Sequence, residues 1–255
     1  MNEAVTRPWV VRALSRVGGA SVFLFQALAS MKFDGFHAAE TLRQVYYIGV
    51  RSLVIIMMSG FFVGLVLTLQ TYDTLNRFGA GDAVSTVLGL SLFKELGPVL
   101  TAILFAGRAG TSVAAEIGLM RATEQIDALD LMGIDPLERI VQPRLLAGII
   151  AVPVLTLVFN FMALLGGVVF AIYMMGMDPV TFWGNMQNSI GLWEDFASGM
   201  FKAVAFGVIA SWLMVYFGWI AHPTGEGVAK ATTHTVIATA IAVLLLDFVL
   251  SAMML

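Results

Sequence analysis

Residues 145–177 read LLAGIIAVPVLTLVFNFMALLGGVVFAIYMMGM, 33 positions without one charged side chain. A hydrocarbon layer is crossed by about 20 apolar residues in a helix, so this run is more than long enough to span and must tilt, kink or protrude. Nothing else in the chain restricts its fold so tightly. Inside a bilayer only helices and closed barrels satisfy every backbone group, and an unbroken apolar run of this length reads as helix rather than as alternating barrel strand. Ser52–Tyr72 has the same character, and 83–107 and 197–220 are apolar stretches interrupted only by Lys94-Glu95 and by Lys202. A fifth, 235–255, closes the chain. Charged residues make up 12% of the sequence and hydrophobic ones 59%, with mean hydropathy +0.88. Soluble domains carry about 25% charge, so this chain lacks the polar surface a globule in water requires. The expected fold is all-α, one polytopic membrane domain over 1–255, with spans at about 46–72, 83–107, 147–175, 197–220 and 235–255.

The segment ahead of the first span reads differently. Val17–Met31 is uncharged for only 15 residues and follows Arg7, Arg12 and Arg16. That pattern predicts a helix lying in the membrane interface, with residues 1–45 as interfacial and elbow helices. MNEAVTRPWVVRALSR has no small-residue cleavage site after a short apolar core and does not read as a signal peptide. Lys and Arg are counted to orient the spans. With the N-terminus inside, Arg7, Arg12, Arg16, Lys32, Arg43, Arg51, Arg108, Arg121, Arg139, Arg144 and Lys230 fall on the inner side, 11 of 14. The positive-inside rule then predicts a cytoplasmic N-terminus, a cytoplasmic 108–144 segment and a C-terminus on the far side.

That 108–144 segment is the one long polar interruption. Within EIGLMRATEQIDALDLMGIDP (116–136), Leu119, Ala122, Ile126, Leu129 and Gly133 recur at helical spacing, while Arg121, Glu124, Gln125 and Asp130 fall on other faces. Gly133 is placed to cap the helix end, and Asp135-Pro136 with Glu138 to start a new one. Two readings fit: a solvated helical loop, or a rigid lever gripped by another protein. Gly60 and Gly64, four apart in the first span, allow close helix approach either inside the chain or across a dimer seam.

Several chemistries are excluded or unsupported. Zero cysteines rule out disulfides and thiolate sites, and a net charge of −3 gives no reason to expect nucleic acid. Gly107-Arg-Ala-Gly110-Thr-Ser has glycines but no P-loop lysine, and His37, His222 and His234 have no metal-ligand spacing. No enzyme activity, cofactor or metal is expected on this chain. Lys94 and Glu95 lie in the second span with 11 uncharged residues before them and 12 after, where one charge costs roughly 2.5–3.5 kcal/mol to insert. They either pair with a neighbouring helix or flank a polar cavity. Gly97-Pro98 should break the span beside them. Lys202 reads as snorkelling or paired, and Asp247 as pairing within the bundle.

KELGPVLTAILFAGRAGTSVAAEIGLMRATEQIDALDLMGIDPLERIVQPR (94–144) resembles the signature of the MlaE family of ABC-transporter permeases. The likeness extends to GVRSLVIIMMSGFFVGLVLTLQ (49–70), KATTHTVI (230–237) and LDFVLSAMM (246–254), and so covers most of the chain from about residue 40. Lys94 stands where many members are expected to carry arginine. The resemblance implies a permease subunit that moves phospholipid between a Gram-negative inner membrane and a periplasmic carrier. It implies a coupling helix within 116–133, whose Glu116, Leu119, Met120, Arg121, Ala122, Glu124, Gln125, Ile126, Asp127 and Leu129 dock a P-loop ATPase holding ATP and Mg. It also implies a lipid pocket at Lys94, Glu95 and Leu96, with Leu67, Gln70, Tyr72, Leu75 and Phe78. Implied partners are a second copy of the chain, a STAS-domain subunit and a periplasmic ring of MCE-domain proteins. The alternative from the residues themselves is an ion-coupled carrier using Lys94, Glu95 and Asp247. It would call for repeated halves with broken helices, and the sequence shows no repeat.

Overall fold

A computed structural model of the chain describes residues 18–27 and 35–254. The basic positions Arg7, Arg12, Arg16 and Lys32 of the expected interfacial region lie outside the described residues. The helices are α1 Gly18–Ala27, α2 Gly35–Val45, α3 Arg51–Arg77, α4 Val84–Ser91, α5 Gly97–Phe105, α6 Thr111–Ala122, α7 Gln125–Leu131, α8 Gln142–Val168, α9 Pro179–Ser189, α10 Ala197–Trp219 and α11 Gly225–Met254. No strand occurs among the described residues. Widened π-helical turns at 46–50, 92–96, 106–110, 137–141 and 169–174 join several of these end to end, so that five continuous helices are long and apolar enough to cross a membrane. They are Ala39–Arg77, Gly81–Ala122, Leu137–Met174, Trp193–Trp219 and Gly225–Met254.

Five crossing-length helices are present as expected, but all five start earlier than hydropathy places them and the first two also end later. The first three helices hold 39, 42 and 38 residues, or about 57–63 Å at about 1.5 Å per residue, twice a hydrocarbon core of about 30 Å. Polar residues continue these helices because they satisfy one another locally. The stretch between the first two expected spans is helical through Arg77, which reaches back to Asp73 at 2.8 Å. The stretch ahead of the fifth expected span is helical from Gly225, with Lys230 paired to Glu226 at 2.6 Å. Such i,i+4 pairs stabilise helix wherever solvent reaches it.

The expected break at Gly97-Pro98 does not occur. Pro98 lacks an N–H and cannot close the ordinary helical bond. The helix widens over Leu92–Leu96 and resumes as α5 with Pro98 in its first turn. Gly97 has a second role: a Cβ there would overlap the Asn160 amide oxygen of α8.

The core is built on α8, which packs along α3 on one side and α10 on the other. α3 and α8 meet through small residues. A Cβ at Gly60 would lie 2.7 Å from the Phe159 carbonyl oxygen, and one at Gly64 would overlap the Ala163 carbonyl. The paired glycines of the first span therefore pack inside the chain. α11 sits outermost, against α10, α6 and α5. It leaves Ile241, Leu245 and Phe248 exposed.

The segment after the third crossing helix forms α9, with Asp178 as its N-cap and Pro179 in its first turn. Asp178 accepts from the Thr181 N–H at 2.8 Å and from its hydroxyl at 2.9 Å. Those bonds, the backbone one first, hold its carboxyl below the usual carboxylate range. A depressed folded value stabilises the helix start above the ordinary carboxylate pKa, and the effect is lost as pH falls through the folded value. The protection of amides in the first turn of α9, taken against the intrinsic exchange rate at each pH, should be flat from pH 8 to 5 and fall only in stronger acid. Asp178→Asn should remove that acid step.

Candidate functional site

Two regions stand out, at opposite ends of the bundle. The first is the connection between the second and third crossing helices. A single helix over 119–133 is expected from the spacing, but the structure has two. α6 ends at Ala122, where the Thr123 hydroxyl folds back onto the Leu119 carbonyl at 2.9 Å. Glu124 then takes a left-handed conformation, φ 58°, and α7 begins at Gln125. Periodicity cannot register such a break, since a single left-handed residue leaves the hydrophobic spacing almost unchanged. The stripe is accordingly divided: Ile126 is buried, Leu129 and Ala122 are half-buried, and Leu119 is exposed.

Both local stops predicted after it are present. Gly133 has φ 73°, with its N–H bonded to the Asp130 carbonyl and that of Ile134 to Leu129, the paired bonds of a Schellman cap. The Asp135 carboxylate accepts the Leu137 N–H at 2.9 Å and so caps the next helix start. On either side of the glycine cap, Leu131 and Met132 stand 89% and 65% exposed and Ile134 42%. The acids Glu124, Asp127 and Asp130 are exposed on the same turn. Leu131, Met132 and Ile134 escape the sequence reading because they straddle the glycine cap and belong to no periodic face.

This turn is braced from behind. The Arg121 guanidinium bonds the Trp219 carbonyl at the end of α10. Arg144, 7% exposed, bonds the Ile140 carbonyl at 3.0 Å and the Glu116 carboxylate at 3.2 Å. Met120, Gln125, Leu129, Met132, Arg139 and Arg144 line a mainly apolar cleft of about 420 Å³. A force applied at 124–134 would therefore reach three crossing helices: the second through α6, the third through Arg144, and the fourth through Arg121.

The second region is a layer of charge. Lys94 pairs with Asp195 at 2.6 Å, and the other Asp195 oxygen accepts the Gly191 N–H at 2.7 Å. Lys94 is expected at mid-span, yet this pairing sets it level with the start of the fourth crossing helix. The preceding turns of α4 are flanked by α9, where the Asn185 side chain donates to the Asp82 carbonyl at 2.8 Å and Thr86 meets Ser189 at 3.0 Å. Asp195 and Lys94 sit on facing π-helical turns, 192–196 and 92–96. Phe93 and Phe196 stack edge-on beside them at 5.9 Å. Gly199 leaves no room for a Cβ against the Phe93 carbonyl.

About two turns deeper, Lys202 donates to Asp247 at 3.0 Å and to the Ser251 hydroxyl at 2.7 Å. This joins α10 to α11, the pairing expected of Asp247. Glu95 is exposed and Leu96 half-buried. On α3, Leu67, Tyr72 and Leu75 are half-buried, Gln70 is exposed, and Phe78, just past the helix end, is 81% exposed. Tyr72 borders a polar cleft of about 400 Å³ with Asn76, Asp82 and Asp178, which takes in neither Lys94 nor Glu95. Asp195 is absent from the sequence reading, because nothing local to its short segment marks which basic residue it meets.

The family profile described as "Permease MlaE" matches residues 41–253. The "Intermembrane phospholipid transport system permease protein MlaE" of Haemophilus influenzae is 44% identical over 95% of this chain and 92% of its own length. A "Probable ABC transporter permease protein" of Rickettsia prowazekii is 36% identical, covering 94% of this chain and 93% of its own. The chloroplast protein TRIGALACTOSYLDIACYLGLYCEROL 1 of Arabidopsis thaliana is 32% identical over 85% of this chain and 61% of that protein.

Proposed function

The chain belongs to the MlaE permease family, and on that premise we propose that it is the membrane subunit through which a separate ATPase drives phospholipid transfer. The observation that carries this reading is the exposed turn 124–134. It offers an apolar knob of Leu131 and Met132 ringed by acids, stopped by the Gly133 cap directly after it and braced onto three crossing helices. An ATPase can move spans it does not touch only through a stiff connection of this kind. The ATPase would bring ATP and Mg, and this chain would supply Glu116, Leu119, Met120, Arg121, Ala122, Glu124, Gln125, Ile126, Asp127 and Leu129 with the knob. One chain presents one such turn, so paired ATPase subunits would engage two copies of it.

The inner-side excess of Lys and Arg supports a cytoplasmic N-terminus and knob. The charged layer then faces the periplasmic half of a Gram-negative inner membrane, where Lys94, Glu95 and Leu96 would meet the lipid headgroup. Leu67, Gln70, Tyr72, Leu75 and Phe78 would line its path toward an MCE-domain ring, while a STAS-domain subunit would sit on the ATPase. An ion-coupled carrier would need Asp247 free to exchange a cation, and Lys202, itself bonded to the Ser251 hydroxyl, holds it.

The test is co-purification of the ATPase with Leu131→Asp and with Glu124→Lys. Both positions are exposed, so the bundle itself should stay folded. Interface anchors typically contribute at least about 2 kcal/mol, which corresponds to roughly a thirtyfold loss of binding. Undiminished ATPase recovery with both variants would remove the knob from the interface.

A further inference from the structure

Four charged groups lie at the start of the fourth crossing helix: Lys94 and Asp195 pair, and Glu95 and Glu194 stand exposed. Lys94 is held by Asp195 at 2.6 Å. The Asp195 side chain is 8% exposed and its second oxygen is fixed by the Gly191 N–H, so the acid cannot swing away from the lysine. The Lys94 side chain keeps 46% exposure. An ammonium has three donors, and the ion pair uses one, leaving donors that face outward. Glu95, the next residue, is exposed and has no ionic or hydrogen-bonding partner among the described residues. Glu194, one residue before Asp195, is exposed as well and adds the same sign.

The rigid surroundings make this a fixed arrangement. The Phe93–Phe196 contact and the close seat of Gly199 on the Phe93 carbonyl lock the two facing turns together. Neutralised by Asp195, Lys94 can still donate to a phosphate oxygen but no longer offers a net positive charge. Glu95 supplies an uncompensated negative charge about one residue away along the helix.

From this we infer that Asp195 is a specificity-determining residue: by cancelling the charge of Lys94 it makes the site select a zwitterionic phospholipid, phosphate on Lys94 and ammonium on Glu95, over an anionic one. The inference rests on the phospholipid-transfer reading above. An anionic headgroup would bring a second negative charge beside Glu95 with no ammonium to offset it.

The experiment uses the full complex with its ATPase, purified in detergent and reconstituted with vesicles containing equal phosphatidylethanolamine and phosphatidylglycerol. Both the lipid retained on the purified protein and the ATP-dependent transfer are analysed by headgroup. The wild type should favour phosphatidylethanolamine by roughly three- to fivefold, the scale of one partly exposed charge contact. Asp195→Asn, which frees the Lys94 charge, and Glu95→Gln, which removes the free acid, should each bring the ratio close to one. Asp195→Glu should keep the preference.

Glu95 is exposed, so its variant reports on selectivity even if the Asp195 change disturbs folding. Transfer by the wild type without headgroup preference, or an unchanged ratio in Glu95→Gln, overturns the inference and leaves the transport reading standing. A wild-type complex that neither retains nor moves phospholipid overturns both.

Discussion

Asp247→Ala should destabilise the folded bundle by about 3–5 kcal/mol, the usual result of breaking a buried ion pair from one side. The residue left behind is the reason. The Lys202 side chain is only 4% exposed and its ammonium meets two groups, Asp247 and the Ser251 hydroxyl. With Asp247 gone, one hydroxyl must compensate a full positive charge surrounded by apolar helix and, in the cell, by lipid. Snorkelling offers little relief, because Lys202 lies within α10 at the layer where α10 and α11 face each other.

Removing both charges is a different matter. Lys202→Met with Asp247→Leu should recover most of the loss, since a buried pair barely offsets its own desolvation. Thermal unfolding of the purified protein in detergent, run on the single and double variants together, reads both outcomes. If Asp247→Ala unfolds at the wild-type temperature, Lys202 reaches water and the pair has no structural weight.

The same pair shows where the sequence is informative and where it stops. That Lys202 and Asp247 need partners follows from their position in apolar runs, and each serves the other. That Lys94 needs one is equally plain, yet its partner Asp195 lies 101 positions away in a segment with no pattern of its own, so only the folded chain reveals it. Caps are legible because they are local: Gly133, Asp135 and Asp178 act on backbone groups within three or four residues of themselves.

Span number is legible because the bilayer imposes it on composition. Span ends are not, because past the hydrocarbon the helix is decided by side-chain pairs such as Arg77–Asp73 and Lys230–Glu226 rather than by apolarity. Two backbone events leave no trace in periodicity. One is the π-helical turn that lets Pro98 sit in a continuous helix, and the other is the left-handed Glu124 that divides the expected coupling helix. Both fall inside the region that the family resemblance covers. Matching residues show the family without giving the local geometry.

Gly64→Ala should be the most damaging single methyl in the chain. Its Cβ would overlap the Ala163 carbonyl and come within 2.8 Å of the Ala163 Cα, so the obstruction is backbone that no rotamer change relieves. Gly166 presents the reciprocal case from α8 against the Phe61 carbonyl. Overpacking typically costs about 1–3 kcal/mol, and a clash between two backbones belongs at or above the top of that range.

Gly184 provides the control. It lies inside α9 with nothing within 4 Å of a Cβ, so Gly184→Ala should be neutral or should gain up to about 1 kcal/mol from helix propensity. Proteolysis of the detergent-solubilised protein compares the two: Gly64→Ala should be cleaved rapidly and Gly184→Ala should match the wild type.

The choice between the two roles of a GxxxG pair is decided by the same variant. A folded, protease-resistant Gly64→Ala chain that only fails to associate would move the seam from within the chain to between copies. The intramolecular placement has a mechanical consequence. α3 carries the proposed lipid-lining positions Leu67 and Gln70, and α8 continues the helix that Arg144 ties to the knob-bearing turn. Seated carbonyl against glycine, the two helices must move as one body, so displacement of the turn by an ATPase would be delivered to the lipid path with little lost in side-chain adjustment.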